Sequence, residues 1–118
     1  MEINRNPVSD ELVREGLEVA VKARELLWKF STLQIDKETL LASLQSIPAK
    51  ETIFNNWDIF SNDEAIAPCL EIFQVIYSLG EDLDYQLSFY GLDSLREDIR
   101  QLDAAIKMLR RQVKQYQS

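Results

Sequence analysis

Two pairs of carboxylates in this chain have a spacing that could serve a metal ion. Glu15 and Glu18 lie three residues apart, and so do Glu81 and Asp84. Residues three apart in a helix are neighbours on its surface, so two such pairs on facing helices could hold Mg²⁺ between them. A bound Mg²⁺ assists the attack of water on a phosphoryl group. The chemistry open to these residues is therefore metal-assisted hydrolysis.

The sequence around the second pair is similar to a motif of a known family. The stretch GEDLDYQLSFY, from Gly80 to Tyr90, resembles the second motif of the all-α nucleotide pyrophosphatases of the MazG kind. The resemblance implies a Mg²⁺-dependent enzyme whose helix carboxylates bind the ion. The chain also departs from that family, because the pair of adjacent glutamates that opens the family's first motif is missing around Glu15.

Helical periodicity nevertheless places most of these acids on the solvent side. The apolar face of the first predicted helix is centred near Ala20, and at about 100° per residue Glu15 and Glu18 fall on the opposite side. Glu81 lies well away from the apolar stripe of the third predicted helix, and Asp84 lies at its edge. We therefore expect solvated surface carboxylates, no metal or other cofactor, and a protein that is not an enzyme.

The inventory of residues excludes several other kinds of chemistry. The 118-residue chain contains no histidine, which is the commonest general base and metal ligand, and it contains one cysteine. Zinc fingers, Cys-His and Ser-His-Asp nucleophiles and disulfides within the chain are thereby excluded. Because Cys69 lies on an apolar stripe, we expect it to be a buried packing residue and not a nucleophile.

Charge is distributed unevenly along the chain, whose formal net charge is −7. From Glu51 to Leu95, here termed the acidic segment, there are nine acids, no lysine or arginine, and eight of the eleven aromatic residues. Six cations follow Ser94, and those near the chain end, Arg110, Arg111 and Lys114, complement the dipole at the end of the last predicted helix. Nucleic-acid binding is disfavoured, because the rest of the chain is strongly acidic.

The acidic segment predicts a surface that docks a basic protein. Tyr85 falls opposite the apolar stripe of its helix and beside Asp82, and such surfaces combine aromatic anchors with charges that attract the partner. The predicted partner-binding residues are Glu81, Asp82, Asp84, Tyr85, Trp57 and Asp58. An inhibitor or immunity protein that covers a cationic surface fits this pattern, and so does an adaptor or assembly subunit. Acidity that serves solubility alone is the alternative.

Four helices are expected to position this surface, in an all-α antiparallel four-helix bundle that forms a single domain over residues 1–118. Caps and breakers predict their positions: helix 1 from Ser9, helix 2 from Asp36 to before Pro48, helix 3 within 63–90 up to Gly91, and helix 4 from a capping box of Ser94 and Glu97. The short link between helices 3 and 4 predicts that these two run antiparallel. We expect residues 1–8 to form a flexible N-terminus. We expect residues 48–62 to form a loosely structured aromatic connector between helices 2 and 3.

Helix 4 carries the most regular apolar pattern in the chain. From Leu92 to Tyr116 its apolar residues alternate steps of three and four, which is the spacing of a coiled-coil seam. The seam could pack inside one molecule or form a homodimer, and the pattern fits both. The chain has no apolar run long enough for a membrane span and no signal-peptide pattern at its start, so we expect no membrane partner and a cytoplasmic location.

Overall fold

The computed structural model describes the backbone of residues 7–117 and the side chains of residues 9–112. Over these residues the chain is helical and contains no strand, which confirms the predicted all-α class. The described elements are α1 (Pro7–Ser31), α2 (Lys37–Gln45), α3 (Ala49–Asn55), α4 (Trp57–Asn62), a 3₁₀ turn (Glu64–Ile66), α5 (Ala67–Tyr90) and α6 (Ser94–Gln117).

The three long helices enclose most of the core. α1 packs against α5 and α6, α5 packs against α6, and the shorter α2 and α3 pack on α5. Side chains at helical spacing fill the space between them, including Leu12, Leu27, Phe73, Ile76, Leu102 and Ile106. Each such side chain contributes about 1.5–3 kcal/mol when it is fully buried. The apolar stripes seen in the sequence therefore determine which helices meet.

Contacts along α6 establish the directions of its neighbours. The side chain of Gln112, towards the end of α6, donates to the carbonyl of Ala65 just before α5, whereas Gln86 near the end of α5 donates to Asp98 near the start of α6. α5 and α6 therefore run in opposite directions, as their short link predicts. α1 also runs opposite to α6, because Gly16 in its first half lies beside Leu109, whereas Arg24 in its second half bonds to Asp103, which is nearer to the start of α6.

The predicted start of α2 at Asp36 and the predicted end of α5 at Gly91 are confirmed. The carboxylate of Asp36 accepts a hydrogen bond from the Thr39 amide at 2.8 Å, and hydrogen bonding with the side chain and then the amide of Thr39 holds the pKa of Asp36 below its usual value. α5 continues through Gly80 and ends at Gly91, whose φ is +70° and whose N–H donates to the Leu87 carbonyl. Positive φ favours glycine, so the position of the stop follows from the sequence.

Two predicted caps are not used. α1 begins at Pro7, two residues before Ser9, which is buried within the first turns. Proline suits a first turn because its missing N–H would have no helical partner there. At the start of α6 the hydroxyl of Ser94 donates to the Gly91 carbonyl at 2.8 Å and accepts from Gln86 at 3.0 Å. These bonds replace the predicted capping box, although α6 does begin at Ser94.

The connector between α2 and α5 is more ordered than the sequence predicts. Residues 48–62 form the helices α3 and α4 and not a loose connector, so this prediction is wrong. α3 has no side-chain cap at its start, but Thr52 donates to the Pro48 carbonyl and Asn56 donates to the Thr52 carbonyl. Packing on α5 stabilises a helix that is too short to be stable alone. Neither α3 nor α4 has a side-chain cap at its start, so the cap patterns used for the other helices did not predict them.

The two ends of the chain are described only in part. The predicted flexible segment 1–8 lies mostly outside the described residues, although its last two positions belong to α1. The seam residues Val113 and Tyr116 lie outside the described side chains. Among the helices that the structure describes, none has both the length and the apolar character needed to cross a bilayer.

Candidate functional site

Exposed aromatic side chains concentrate at the end of α5. Tyr85, Phe89 and Tyr90 expose 59%, 69% and 68% of their surfaces, and Leu92 just beyond the helix exposes 49%. The rings of Tyr85 and Phe89, one helical turn apart, have centroids 4.4 Å apart and planes tilted by 32°. The two rings are in contact, and this contact restricts the motion of both side chains. Exposed apolar groups gathered in this way mark a candidate interaction surface.

A groove of about 730 Å³ lies between the end of α5 and the start of α6. Two tyrosines and four carboxylates line it: Tyr85, Tyr90, Asp82, Asp93, Glu97 and Asp98. This feature is termed here the acidic aromatic groove. Within the described side chains, no lysine or arginine belongs to its lining. The groove therefore joins apolar ring surface and negative charge in one shallow, open depression of the surface.

Two of the four carboxylates have cations beside them. Asp93 lies 3.8 Å from Arg96, and Glu97 lies 3.4 Å from Arg100. The acid and the arginine of each pair are both exposed. Exposed ion pairs contribute little to stability and open easily. Within the described part of the chain, Asp82 takes part in no ion pair and no side-chain hydrogen bond. The groove thus keeps negative charge that a partner could meet.

Asp98 has the most constrained carboxylate in the groove. The Nε2 of Gln86 donates to its Oδ2 at 2.7 Å and also contacts the Ser94 hydroxyl at 3.0 Å. Partial burial raises the pKa of Asp98, while the bond from Gln86 acts in the opposite direction. A carboxylate that has lost part of its water interacts more strongly with an arriving cation than a fully solvated one does.

The structure divides the predicted partner-binding residues between two places. Four of them lie in the second half of α5: Glu81, Asp82, Asp84 and Tyr85. The other two, Trp57 and Asp58, belong to α4, which packs beside the 3₁₀ turn that precedes α5. The rise of about 1.5 Å per residue along α5 puts roughly 20 Å between the groups. They are all exposed, but they do not form one surface.

Asp84 forms an ion pair with a lysine of α2. The Nζ of Lys37 lies 2.6 Å from Asp84 Oδ1, and the hydrogen bond with this carboxylate raises the pKa of Lys37. The acidic segment contains no lysine or arginine of its own, but the fold places Lys37 of α2 beside Asp84 of α5. Asp84 is therefore less open to a basic partner than Asp82, and Glu81 does not line the groove.

The sequence interpretation missed the part of the groove that lies at the end of α5 and on α6. Tyr90, Asp93, Glu97 and Asp98 were not among the predicted residues, although all four line the groove. The signal that could have found them is the short link around Gly91. It requires the first turns of α6 to lie beside the last turns of α5.

The carboxylate pairs that suggested a metal site do not meet. Glu15 and Glu18 are exposed on α1, and Glu81 and Asp84 are exposed on α5. Within the described side chains, no group of three or more cysteine, aspartate or glutamate residues lies close enough to hold a metal ion. The outward direction of these acids agrees with the helical periodicity of the sequence.

Cys69 is a buried packing residue, as predicted. Its thiol donates to the carbonyl of Leu12 at 3.0 Å. Burial, with a smaller effect of the negative charge of Glu15, raises the pKa of the Cys69 thiol to about 12. The sulfur therefore stays protonated at neutral pH, and a protonated thiol is a poor nucleophile.

The described part of the α6 seam packs inside the molecule. Leu95, Leu102, Ile106 and Leu109 are buried, and α6 contacts both α1 and α5. A second copy could not reach these side chains without opening the fold. Leu92 is the exposed member of the seam among the described side chains, and it adjoins the aromatic end of α5.

Comparisons with known proteins do not connect the chain to a family. No family model, no curated protein and no solved structure matches it.

Proposed function

We propose that this protein is a non-enzymatic interaction module that docks a basic segment of a partner protein in the acidic aromatic groove. The observation that carries the proposal is the presence of exposed rings and carboxylates together between α5 and α6. Aromatic rings provide apolar contact area at a small cost in conformational entropy, and carboxylates attract and select a cationic partner.

The sign of the charge supports a protein partner over a nucleic acid. The lining of the groove carries carboxylates, which repel phosphates. A metal-dependent activity lacks comparable support, because the carboxylates of α1 and α5 do not converge among the described side chains. An inhibitor that covers a cationic surface and an adaptor that holds a basic segment would both use the groove in this way.

The proposal includes the architecture that holds the groove. We infer that α1, α2, α5 and α6 form the antiparallel four-helix bundle predicted from the sequence. Its support is the order of contacts: Lys37 at the start of α2 bonds to Asp84, whereas Gln45 at its end donates to the carbonyl of Gly80. α2 thus runs opposite to α5. Such a bundle would fix the ends of α5 and α6 and preorganise the groove.

The test uses a phage library of random 12-residue peptides, selected against the purified protein. The enriched peptides are expected to be basic and to bind less tightly as salt rises, because exposed charges are screened. A groove variant combines Asp82→Asn, Glu97→Gln and Asp98→Asn, which keep the size of each side chain. We expect this variant to bind the enriched peptides about tenfold more weakly or worse.

A control variant with the same change in net charge separates the groove from general acidity. It combines Glu11→Gln, Glu18→Gln and Glu71→Gln, three exposed positions outside the groove. This variant should bind the peptides nearly as tightly as the original protein. Equal loss in both variants would show that net charge alone governs binding. Enrichment of peptides that are not basic, or undiminished binding by the groove variant, would refute the proposal.

A further inference from the structure

We infer that the acidic aromatic groove selects arginine over lysine, through a guanidinium that stacks on Tyr85 and bonds to the carboxylates beside it. This inference rests on the proposed function, because it names the side chain that a basic partner inserts. It depends on the position of the Tyr85 ring, on the two carboxylates that lack a cation, and on the different shapes of the two cationic side chains.

Tyr85 presents an ordered ring to the groove. Its side chain is exposed and lines the groove, while Phe89, one turn later on the same helix, supports it at a ring-centroid distance of 4.4 Å. Phe89 itself does not belong to the lining. The ring therefore loses little freedom when a flat group stacks on it, and a preorganised surface of this kind favours binding.

The carboxylates that lack a cation lie beside this ring. Asp82 precedes Tyr85 by three residues on α5, so the two side chains are surface neighbours. Asp98 approaches from α6, and Gln86 occupies its Oδ2, whereas its Oδ1 accepts no hydrogen bond within the described residues. A cation over Tyr85 would thus have carboxylate oxygens from both helices near it.

The shape of the guanidinium suits this arrangement better than that of the ammonium. A guanidinium is planar, is weakly hydrated, stacks on aromatic faces, and carries five N–H donors in its plane. It can therefore stack on a ring and bond to carboxylates at the same time. An ammonium is a compact and strongly hydrated charge, which gains less from a flat ring. The groove offers both kinds of contact, so arginine should be preferred.

Matched peptides test this inference. Each arginine in an enriched peptide is replaced by lysine, which preserves length and charge, and the dissociation constants are measured by fluorescence anisotropy. We expect the lysine version to bind about tenfold more weakly. Tyr85→Leu should weaken the arginine version and abolish the difference between the two. Tyr85→Phe should preserve the difference, since it keeps the ring.

The outcomes separate this inference from the proposed function. Equal binding of the two peptide versions, or a preference that survives Tyr85→Leu, would overturn arginine selection while docking in the groove stands. Enrichment of lysine-rich peptides without arginine would do the same. Failure of the groove variant to lose binding would instead remove the proposed function. Tyr85 is exposed, so its variants should melt near the original temperature, and melting curves check that they are folded.

Discussion

Two glycines inside helices give a matched test of how closely α1 and α5 pack. Gly16 in α1 and Gly80 in α5 occupy helix interiors, where alanine is about 1 kcal/mol more favourable than glycine. A Cβ added at Gly80 would lie 3.6 Å from Cγ of Gln45, which is an ordinary contact. A Cβ added at Gly16 would lie 2.7 Å from the sulfur of Cys69, closer than such atoms approach. The two substitutions should therefore have opposite effects.

The expected magnitude at Gly16 is the difference between two effects. Inserting a methyl group into a filled core costs about 1–3 kcal/mol. The sulfur cannot easily move away, because Cys69 is buried and bonded to the Leu12 carbonyl. After the gain in helix propensity, Gly16→Ala should lower the free energy of unfolding by about 1 kcal/mol. Gly80→Ala, which keeps the propensity gain alone, should raise it by about 1 kcal/mol.

Removing the sulfur provides the internal control. Cys69→Ala by itself should cost about 1–2 kcal/mol, because it leaves a small cavity and removes a hydrogen bond. In that background Gly16→Ala meets no sulfur and should stabilise the protein. The two changes together form a double-mutant cycle with an expected coupling of about 1–3 kcal/mol. Urea unfolding followed by circular dichroism gives the free energies of all four proteins.

The cycle has two results that would refute the reasoning. Gly16→Ala could stabilise the protein as much as Gly80→Ala does, which would show that α1 and α5 are not in close contact at Cys69. The changes at Gly16 and Cys69 could also be additive. Additivity would mean that the cost at Gly16 does not come from the sulfur, because strain between two atoms disappears when one of them is removed.

Two further predictions concern the end of α1 and the groove. Leu33 follows α1 with φ +65°, a left-handed strain that Leu33→Gly relieves. Urea unfolding should show a gain of roughly 0.5 kcal/mol for Leu33→Gly and none for Leu33→Ala, which keeps its Cβ. At Asp98 the raised pKa means that the folded state binds the proton more tightly than the unfolded state, so ionisation destabilises the fold as pH rises. Asp98→Asn should therefore melt higher than the original protein at pH 7, with a difference that vanishes below about pH 4; equal melting at pH 7 would contradict this.

The parts of the fold that the sequence predicted depend on local geometry. A carboxylate before a helix accepts from the amide three residues later, and Asp36 does so at the start of α2. A positive φ requires a residue that tolerates it, and Gly91 ends α5 for that reason. The buried stripes of α5 and α6 likewise follow from their spacing. In each case the relevant atoms lie within a few residues of one another.

The parts that the sequence did not predict depend on contacts between distant residues. α3 has no side-chain cap, and packing on α5 stabilises it. Lys37 neutralises Asp84 across 47 positions of sequence, because α2 crosses beside α5. Trp57 belongs to the acidic segment, yet α4 holds it at the opposite end of α5 from Tyr85. Counting charges along a segment cannot reveal any of these relations, since it ignores the direction in which the helices return.

The aromatic residues of the groove are stronger evidence for docking than its carboxylates are. Glu97 lies in the first turn of α6, where negative charge stabilises a helix through its dipole, so this acid has a structural reason to be there. Tyr85 and Phe89 gain only about 0.2–0.5 kcal/mol from their contact one turn apart, and a charged pair at that spacing would supply as much, so helix stability alone gives little reason to expose two rings there. The rings therefore discriminate between docking and mere solubility. Tyr85→Leu, which leaves every charge in place, is accordingly a sharper probe of the groove than removal of any one carboxylate.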